Sequence, residues 1–179
     1  MPNTPTPVGP GFASVCGAQA AALILGSFPS PKSREQGFFY GHKQNRFWPM
    51  IAAVTGEPVP DWADIEAKKA IILRHGLAVW DTIGACDIRG ASDASIRNAV
   101  PNDVAALIRQ LGVRAVFCNG AASGRIYAKY AEPLTHLPAA VLPSTSPANA
   151  AWSLARLEEA WGAALAPFLT PILRGRSCK

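Results

Sequence analysis

Two stretches of the chain gather residues that can do chemistry without a metal or a charged nucleophile. One is Gly26-Ser27-Phe28-Pro29-Ser30 followed by Gly37-Phe38-Phe39-Tyr40-Gly41-His42-Lys43-Gln44-Asn45-Arg46-Phe47-Trp48; the other is Pro143-Ser144-Thr145-Ser146-Pro147-Ala148-Asn149. Phe38, Phe39 and Tyr40 can offer a ring face to a flat, aromatic ligand. Asn45 can orient a water through its side-chain carbonyl without adding charge. As a plain helix cap it would sit poorly, because Pro49 lacks the N–H that should bond its backbone carbonyl. Backbone N–H groups around Ser27–Ser30 can serve as preorganised donors. The Ser144 and Thr145 hydroxyls add donors. A helix opening after Ser146, with Pro147 at its first position, would turn free N–H groups toward an anion.

The elements that must position these residues follow from the hydrophobic pattern. Ala18 to Gly26 is a short apolar run ended by Gly26 and Pro29, and reads as a buried strand. Residues 27–46 have no clean period and read as a long loop. A helix is expected over about 47–55 and another from Asp61 to His75, with Asp61 as cap and Trp62, Ile65, Ile72 and Leu73 on one face. Leu77–Asp81 reads as a strand and 82–101 as irregular. Asn102 is expected to cap a helix with Val104, Leu107, Ile108 and Leu111 at helical spacing. Arg114–Cys118 and about Ala139–Leu142 read as strands, with a helix near 122–131 between them. The last helix is expected from Ser146 to about Ala166, with Leu154, Leu157, Trp161, Ala164 and Leu165 as its stripe. Lys68 and Lys69 read as a solvated helix face. Strands alternating with helices predict an α/β fold: a three-layer α/β/α arrangement around a mostly parallel four-stranded sheet. Ligands in such sheets sit beyond the carboxyl ends of the strands, which is where both chemistry-bearing stretches fall.

Composition narrows the function classes. The chain has 179 residues, 49% of them apolar and 16% charged, with 17 Lys+Arg against 12 Asp+Glu, hence a net charge of +5. That suits a single domain, expected over 18–170, with flexible tails at 1–17 and 171–179. Cys16, Cys86, Cys118 and Cys178 lack metal-ligand spacing, so no metal site is expected, and a reducing, cytoplasmic setting is the default. No apolar run is long enough for a membrane span. A GxSxG elbow, a phosphate-binding GxxxxGK[ST] loop, a GxGxxG fingerprint and an HExxH pair are all absent.

On the residues of the two stretches, the chain resembles the uracil-DNA glycosylase superfamily over about residues 20–165. The Gly37–Trp48 run matches the Gly-Phe-Xaa-Phe/Tyr-Xaa-His-Pro-Xaa-Asn-Arg-Phe-Trp loop of mismatch-specific uracil/thymine glycosylases. Gly26–Ser30 together with Ser144–Asn149 looks more like the hypoxanthine-DNA glycosylase branch, family six. Phe28 stands where the mismatch-specific enzymes place a water-activating Asn, Lys43 replaces their Pro, and Ala148 stands where they have a bulky intercalating residue.

The resemblance implies a monofunctional DNA glycosylase that flips a deaminated base, hypoxanthine first, out of double-stranded DNA and hydrolyses its glycosidic bond. Uracil or G·T mismatch excision, a non-catalytic damaged-DNA binder and a small-nucleotide hydrolase remain as alternatives. It makes Asn45 the catalytic residue, with Gly26, Ser27, Phe28, Pro29, Ser30, Phe39 and Tyr40 at the base. His42, Lys43, Ser144, Thr145, Ser146, Ala148 and Asn149 would contact DNA. It also implies a monomer without cofactor, and a loop after Asp81, through Asp87 and Asp93, that walls the base pocket.

Overall fold

The computed structural model describes residues 6–170. Its strands are β1 (Thr6–Val8), β2 (Ala22–Gly26), β3 (Leu77–Asp81), β4 (Ile83–Ile88), β5 (Arg97–Pro101), β6 (Ala115–Asn119) and β7 (Ala139–Leu142). Its helices are α1 (Pro31–Gln36), α2 (Phe47–Thr55), α3 (Ile65–Arg74), α4 (Val104–Leu111), α5 (Ala121–Tyr130), α6 (Glu132–Thr135) and α7 (Leu154–Leu165). None is long and apolar enough to cross a membrane.

Four strands form a parallel sheet in the order β3-β2-β6-β7. β2 is buried at every position, as a central strand covered on both faces must be. Its side chains alternate between two cores. Ala22 and Ile24 pack with Phe47, Met50 and Ile51 of α2, Ile71 and Ile72 of α3, and Leu157, Trp161 and Leu165 of α7. Leu23 and Leu25 pack with Val104, Leu107 and Ile108 of α4 and Tyr127 of α5. The expected three-layer α/β/α fold is therefore the one adopted. Because all four strands run the same way, Gly26, Asp81, Asn119 and Leu142 end at one rim, with Gly26 directly beside Asp81.

Residues 82–101, expected to be irregular, instead build most of a second sheet. β4 pairs antiparallel with β5 on one side and β1 on the other. The stretch expected to be a tail is thus packed on the fold from Thr6: Val8 pairs with Cys86, Gly11 N–H donates to Gly84 O (2.8 Å), and Val15 pairs with Val79. Residues 1–5 and the tail expected at 171–179 lie outside the described residues.

Several helix boundaries also differ. The loop expected at 27–46 contains α1, which Ser30 caps by accepting from Ser33 N–H (3.2 Å). Asp64, not Asp61, caps α3 by accepting from Ala67 N–H (2.9 Å), and Asp103, not Asn102, caps α4 by accepting from Ala106 N–H (2.9 Å). Trp62 and Leu73 are exposed rather than on the buried face. Lys68 is not solvated: it is 1% exposed, donates from Nζ to Trp62 O, and lies 5.6 Å from the centre of the Trp48 ring. The last helix starts at Leu154, capped by Ser153, and not at Ser146.

One polar cluster ties α2 to α3. Glu57 accepts from Arg74 Nη1 (2.5 Å) and pairs with His75 Nε2 (3.0 Å), whose ring is buried. The His75 hydrogen bond first, and the Arg74 guanidinium second, hold the Glu57 carboxyl below its ordinary value of 4.5. A depressed acid contributes stability above its unfolded pKa and loses it as the pH falls through the folded one. Glu57→Gln is therefore expected to lower Tm at pH 7. That Tm gap to the wild type should narrow as the pH falls below 4.5; a gap that does not narrow with acid would show the cluster does not act through charge.

Candidate active site

At the carboxyl rim of the parallel sheet lies a cavity of about 120 Å³, smaller than the roughly 300–1,000 Å³ of pockets that take drug-sized ligands. It suits a small ring system. Eleven residues expected at the site line it: Gly26, Ser27, Phe28, Pro29, Ser30, Phe39, Tyr40, Asn45, Ser144, Thr145 and Ser146. His42 and Lys43 do not. They face a neighbouring groove, where Lys43 Nζ lies 4.8 Å from the centre of the Trp62 ring. Ala148 is exposed, and Asn149 is used internally, donating from Nδ2 to Ser144 O (2.9 Å).

The strand-end backbone is tightly held. The Gly26 and Ser27 carbonyls accept from Thr82 N–H (2.9 Å) and Ile83 N–H (3.0 Å), and buried Ser123 donates from Oγ to Leu25 O (2.8 Å). Gly26 has no room for a side chain: a Cβ would sit 2.3 Å from Asp81 Oδ1 and 3.3 Å from the Tyr40 hydroxyl. Phe28 is buried against Ile83, Cys86 and Ile88 of the second sheet, with the Arg34 guanidinium 5.7 Å from its ring centre.

Of the three aromatics expected as a platform, Tyr40 is the one placed to serve. Phe38 is buried in the core, and Phe39 packs edge-on against Phe12 and Phe38. Tyr40 is half-buried and stacks on Phe47 at 3.8 Å and 21°, so one ring face is covered and the other remains. Its backbone has φ +54°, a left-handed conformation that costs a non-glycine residue about 1–3 kcal/mol and concentrates at functional sites.

Asn45 is locked by two donors on one atom. Its Oδ1 accepts from Phe47 N–H (3.0 Å) and from the Thr145 hydroxyl (2.9 Å). Thr145 is fully buried and is held in turn by Asn119, which donates from Nδ2 to Thr145 Oγ1 (3.0 Å) and accepts from Thr145 N–H (3.0 Å). The Phe47 N–H also settles which end of the amide is oxygen. The carbonyl expected to hold a water is thus already committed, and Nδ2 is the amide atom left for the cavity.

Arg46 joins the two chemistry-bearing stretches. Its backbone N–H donates to Thr145 O (3.1 Å), and its guanidinium donates to the carbonyls of Thr145 (3.3 Å), Ser146, Asn149 (3.1 Å) and Trp152. The Ser146 and Asn149 carbonyls also accept turn bonds from Asn149 N–H (3.0 Å) and Trp152 N–H (3.3 Å), so the stretch runs as successive turns, the helix starts only at Leu154, and no helix N-terminus forms at Ser146. Ser146 caps only a local turn, accepting at Oγ from Ala148 N–H (3.2 Å).

The residue pattern predicts no site role for Arg46 and no specific one for Asp81 or Asp93, and reads Asn119 as a turn residue with a base-edge contact as the alternative. Asn119 and Asp81 are the last residues of β6 and β3; strand-end position is the signal that could have found them. Asp93 accepts from Ser27 Oγ (2.9 Å) at the rim. Asp81 is 5% exposed, and its Oδ2, like the Tyr40 hydroxyl, is buried without a hydrogen-bond partner among the described residues. Burial, helped by the nearby Asp93 charge, pushes the Asp81 carboxyl up to about 7. Burial also raises the Tyr40 hydroxyl, and Asp81 adds to the effect.

Known proteins are similar to this chain in sequence and in fold. The chain is 33% identical over 158 residues to a protein of Methanosarcina acetivorans named hypoxanthine DNA glycosylase, covering 86% of this chain and 95% of that one. It is 28% identical over 115 residues to a Methanosarcina barkeri protein of the same name, covering 64% and 72%. The solution NMR structure of a Methanosarcina acetivorans protein described as a candidate uracil DNA glycosylase superposes with a TM-score of 0.75 at 28% identity, covering 91% of this chain and 99% of that one. A sequence profile of the Uracil DNA glycosylase superfamily matches residues 13–165, a span that takes in both chemistry-bearing stretches and all four parallel strands, and the chain belongs to that superfamily.

Proposed function

We propose that the protein is a monofunctional DNA glycosylase that excises hypoxanthine from double-stranded DNA, with Asn45 positioning the water that attacks C1′. Family membership and relatives named as hypoxanthine DNA glycosylases make it a hydrolytic DNA N-glycosylase; the names of those relatives support the choice of base. The observation that carries the mechanism is the locked carboxamide: Asn45 Oδ1 engaged twice, Nδ2 left at the strand-end cavity.

A glycosylase must extrude its base, grip it and bring water to the sugar carbon. The open face of Tyr40 grips the base by stacking, worth about 1–3 kcal/mol. Asn45 Nδ2 donates to the water oxygen and holds it against C1′, while the water keeps its lone pair for attack. Glycosidic cleavage passes through an oxocarbenium-like transition state, so a positioned water suffices and a strong base is not required. Ser144, Thr145 and Ser146 contact the strand around the extruded nucleotide through hydroxyl and backbone groups, and Lys43 meets phosphate from the adjoining groove.

Asn45→Ala is expected to fold and to lose roughly 10²–10³ in single-turnover excision, the usual cost of one preorganised polar group. The assay uses duplexes carrying one hypoxanthine, uracil, xanthine or G·T site; unchanged excision by the variant removes Asn45 from the mechanism, and release of uracil but not hypoxanthine reassigns the base.

Arg46→Lys keeps the charge but loses the fork. Hydrogen exchange is expected to speed up across 144–152 while β2 and β6 stay protected, and excision should fall by roughly tenfold to 10²-fold, the scale of a displaced site group. Normal exchange with normal rate would refute the bracing role. Affinity for lesion DNA should also drop steeply with salt through counterion release; a Kd that stays flat between low and physiological salt would contradict phosphate docking.

A further inference from the structure

Beside the cavity lies a groove of about 590 Å³ whose aromatic residue, Trp62, has no part in the steps above. Two elements serve both hollows. Ser33 of α1, Tyr40 and Asn45 line the cavity, whereas Gln36 of α1, His42 and Lys43 line the groove together with Trp62. The chain from Tyr40 to Asn45 thus borders the one with its ends and the other with its middle.

Trp62 is 43% exposed, yet it is held at both ends. Its backbone carbonyl accepts from Nε2 of Gln36 and from Nζ of buried Lys68. Its indole Nε1 donates to Gly41 O (2.8 Å). Gly41 is itself clamped: its N–H donates to Ser33 Oγ (2.9 Å), and a Cβ on it would meet Gln36 Oε1 at 2.6 Å and Ser33 Cα at 2.9 Å. An exposed ring fixed before a ligand arrives loses little freedom on binding. With its N–H spent on Gly41, the ring offers a face, and every nucleobase has a face to stack on it.

The groups around the ring select the occupant. Lys32 of α1 is paired with Glu35 (2.7 Å), but Lys43 has no carboxylate partner among the described residues, and its Nζ lies 4.8 Å from the centre of the Trp62 ring. His42 Nδ1 accepts from Gln44 N–H (3.1 Å), which leaves Nε2 as the N–H of that ring. A fixed aromatic face with a cation and an N–H donor beside it suits a base and its phosphate. The place is right as well: Trp62 is one hydrogen bond from the residue that follows Tyr40, so the two stacking rings serve neighbouring nucleotides. Across the cavity mouth, Ala148 is too small to wedge into a base stack, and a grip on a second nucleotide supplies the hold that a wedge would give.

We propose that this groove is a second nucleobase seat: Trp62 stacks the unpaired base next to the flipped nucleotide on the same strand, while Lys43 leaves the ring for the phosphate that joins the two. The inference rests on the glycosylase reading and adds a second extruded nucleotide to it. Lys43 gives up an exposed cation–π contact, which is weaker than base stacking, and gains a phosphate.

The test measures Kd for duplexes with one 2′-fluoro-deoxyinosine, whose fluorine disfavours the oxocarbenium-like transition state and so slows hydrolysis. Tetrahydrofuran abasic residues in the complementary strand face both flanking positions, so no flanking pair has to break. The flanks are thymine on both sides, or tetrahydrofuran on the 5′ or on the 3′ side. The wild type is expected to bind about 5- to 150-fold more weakly when one of the two flanks loses its base, the range of one base–aromatic stack. Trp62→Ala should bind the thymine-flanked duplex as weakly and be indifferent to the flanks. Trp62→Phe, which keeps a ring face and loses the bond to Gly41, should retain the flank dependence. A Trp62→Ala variant that still senses the flank, or a Trp62→Phe variant as indifferent as Trp62→Ala, overturns the proposal, the latter because the ring would then act only by bracing Gly41. Should melts show the variants unfolded, the wild type decides alone: equal Kd on all three duplexes overturns it. A wild type that releases no base from any cleavable lesion duplex sinks the glycosylase reading and this inference together, whereas an active wild type that ignores its flanks sinks only the latter.

Discussion

The site depends on a cross-link between two loops about one hundred residues apart. Arg46 reaches four carbonyls of the 145–152 stretch, and Asn45 beside it takes the Thr145 hydroxyl. Guanidinium bonds to carbonyls are charge-assisted, worth roughly 1.5–3 kcal/mol each when buried partners would otherwise be unsatisfied. One side chain thereby holds the second loop, a run of turns, against the first, and its neighbour's carboxamide keeps a single orientation. The Asn119–Thr145–Asn45 chain then anchors that carboxamide to the end of a core strand. The geometry at Asn45 is inherited from the sheet rather than from loop packing alone.

The chemistry of the cavity matches this rigidity. In the proposed mechanism a carboxylate beside the attacking water would be repelled by DNA phosphates, whereas the Asn45 amide, held by two donors, carries no charge. The buried acid among the described residues, Asp81, lines the cavity at the end of β3, where desolvation favours its neutral form. Tyr40 shows the same economy. Its unfavourable backbone conformation is held between α1 and α2, and Phe47 stacks against one face of its ring. Gly26 completes the set, because any side chain there would fill the space that Asp81 and Tyr40 share.

Much of this was readable from residue order, and the misses have physical reasons. β2, β3, β6 and β7 stand out as short apolar runs, and α4 shows its buried stripe at helical spacing. The Gly37–Trp48 run announced the site because its residue types are unusual together. β4 was hidden because its apolar residues are interrupted by Gly84 and Asp87 and its ladder to β5 shifts register. α1 is too short to show a stripe and begins at a proline in a run that reads as loop. The late start of α7 was unreadable for a different reason: Pro147 suits a first turn, and only the fold brings in the guanidinium that binds the carbonyls of 145–152. Asp81 looked like a strand terminus until the sheet register put it beside Gly26.

The antiparallel sheet has a consequence for the cavity itself. Ile88, Ala91 and Asp93 of the β4 strand and the turn after it form one wall, and the outer edge of β4 is covered by Thr6–Val8. Thr6–Val8 therefore act as a clasp on the cavity, although they lie far from it in sequence. Fusions, tags or trimming at that end would slacken one wall while leaving the helical layers intact.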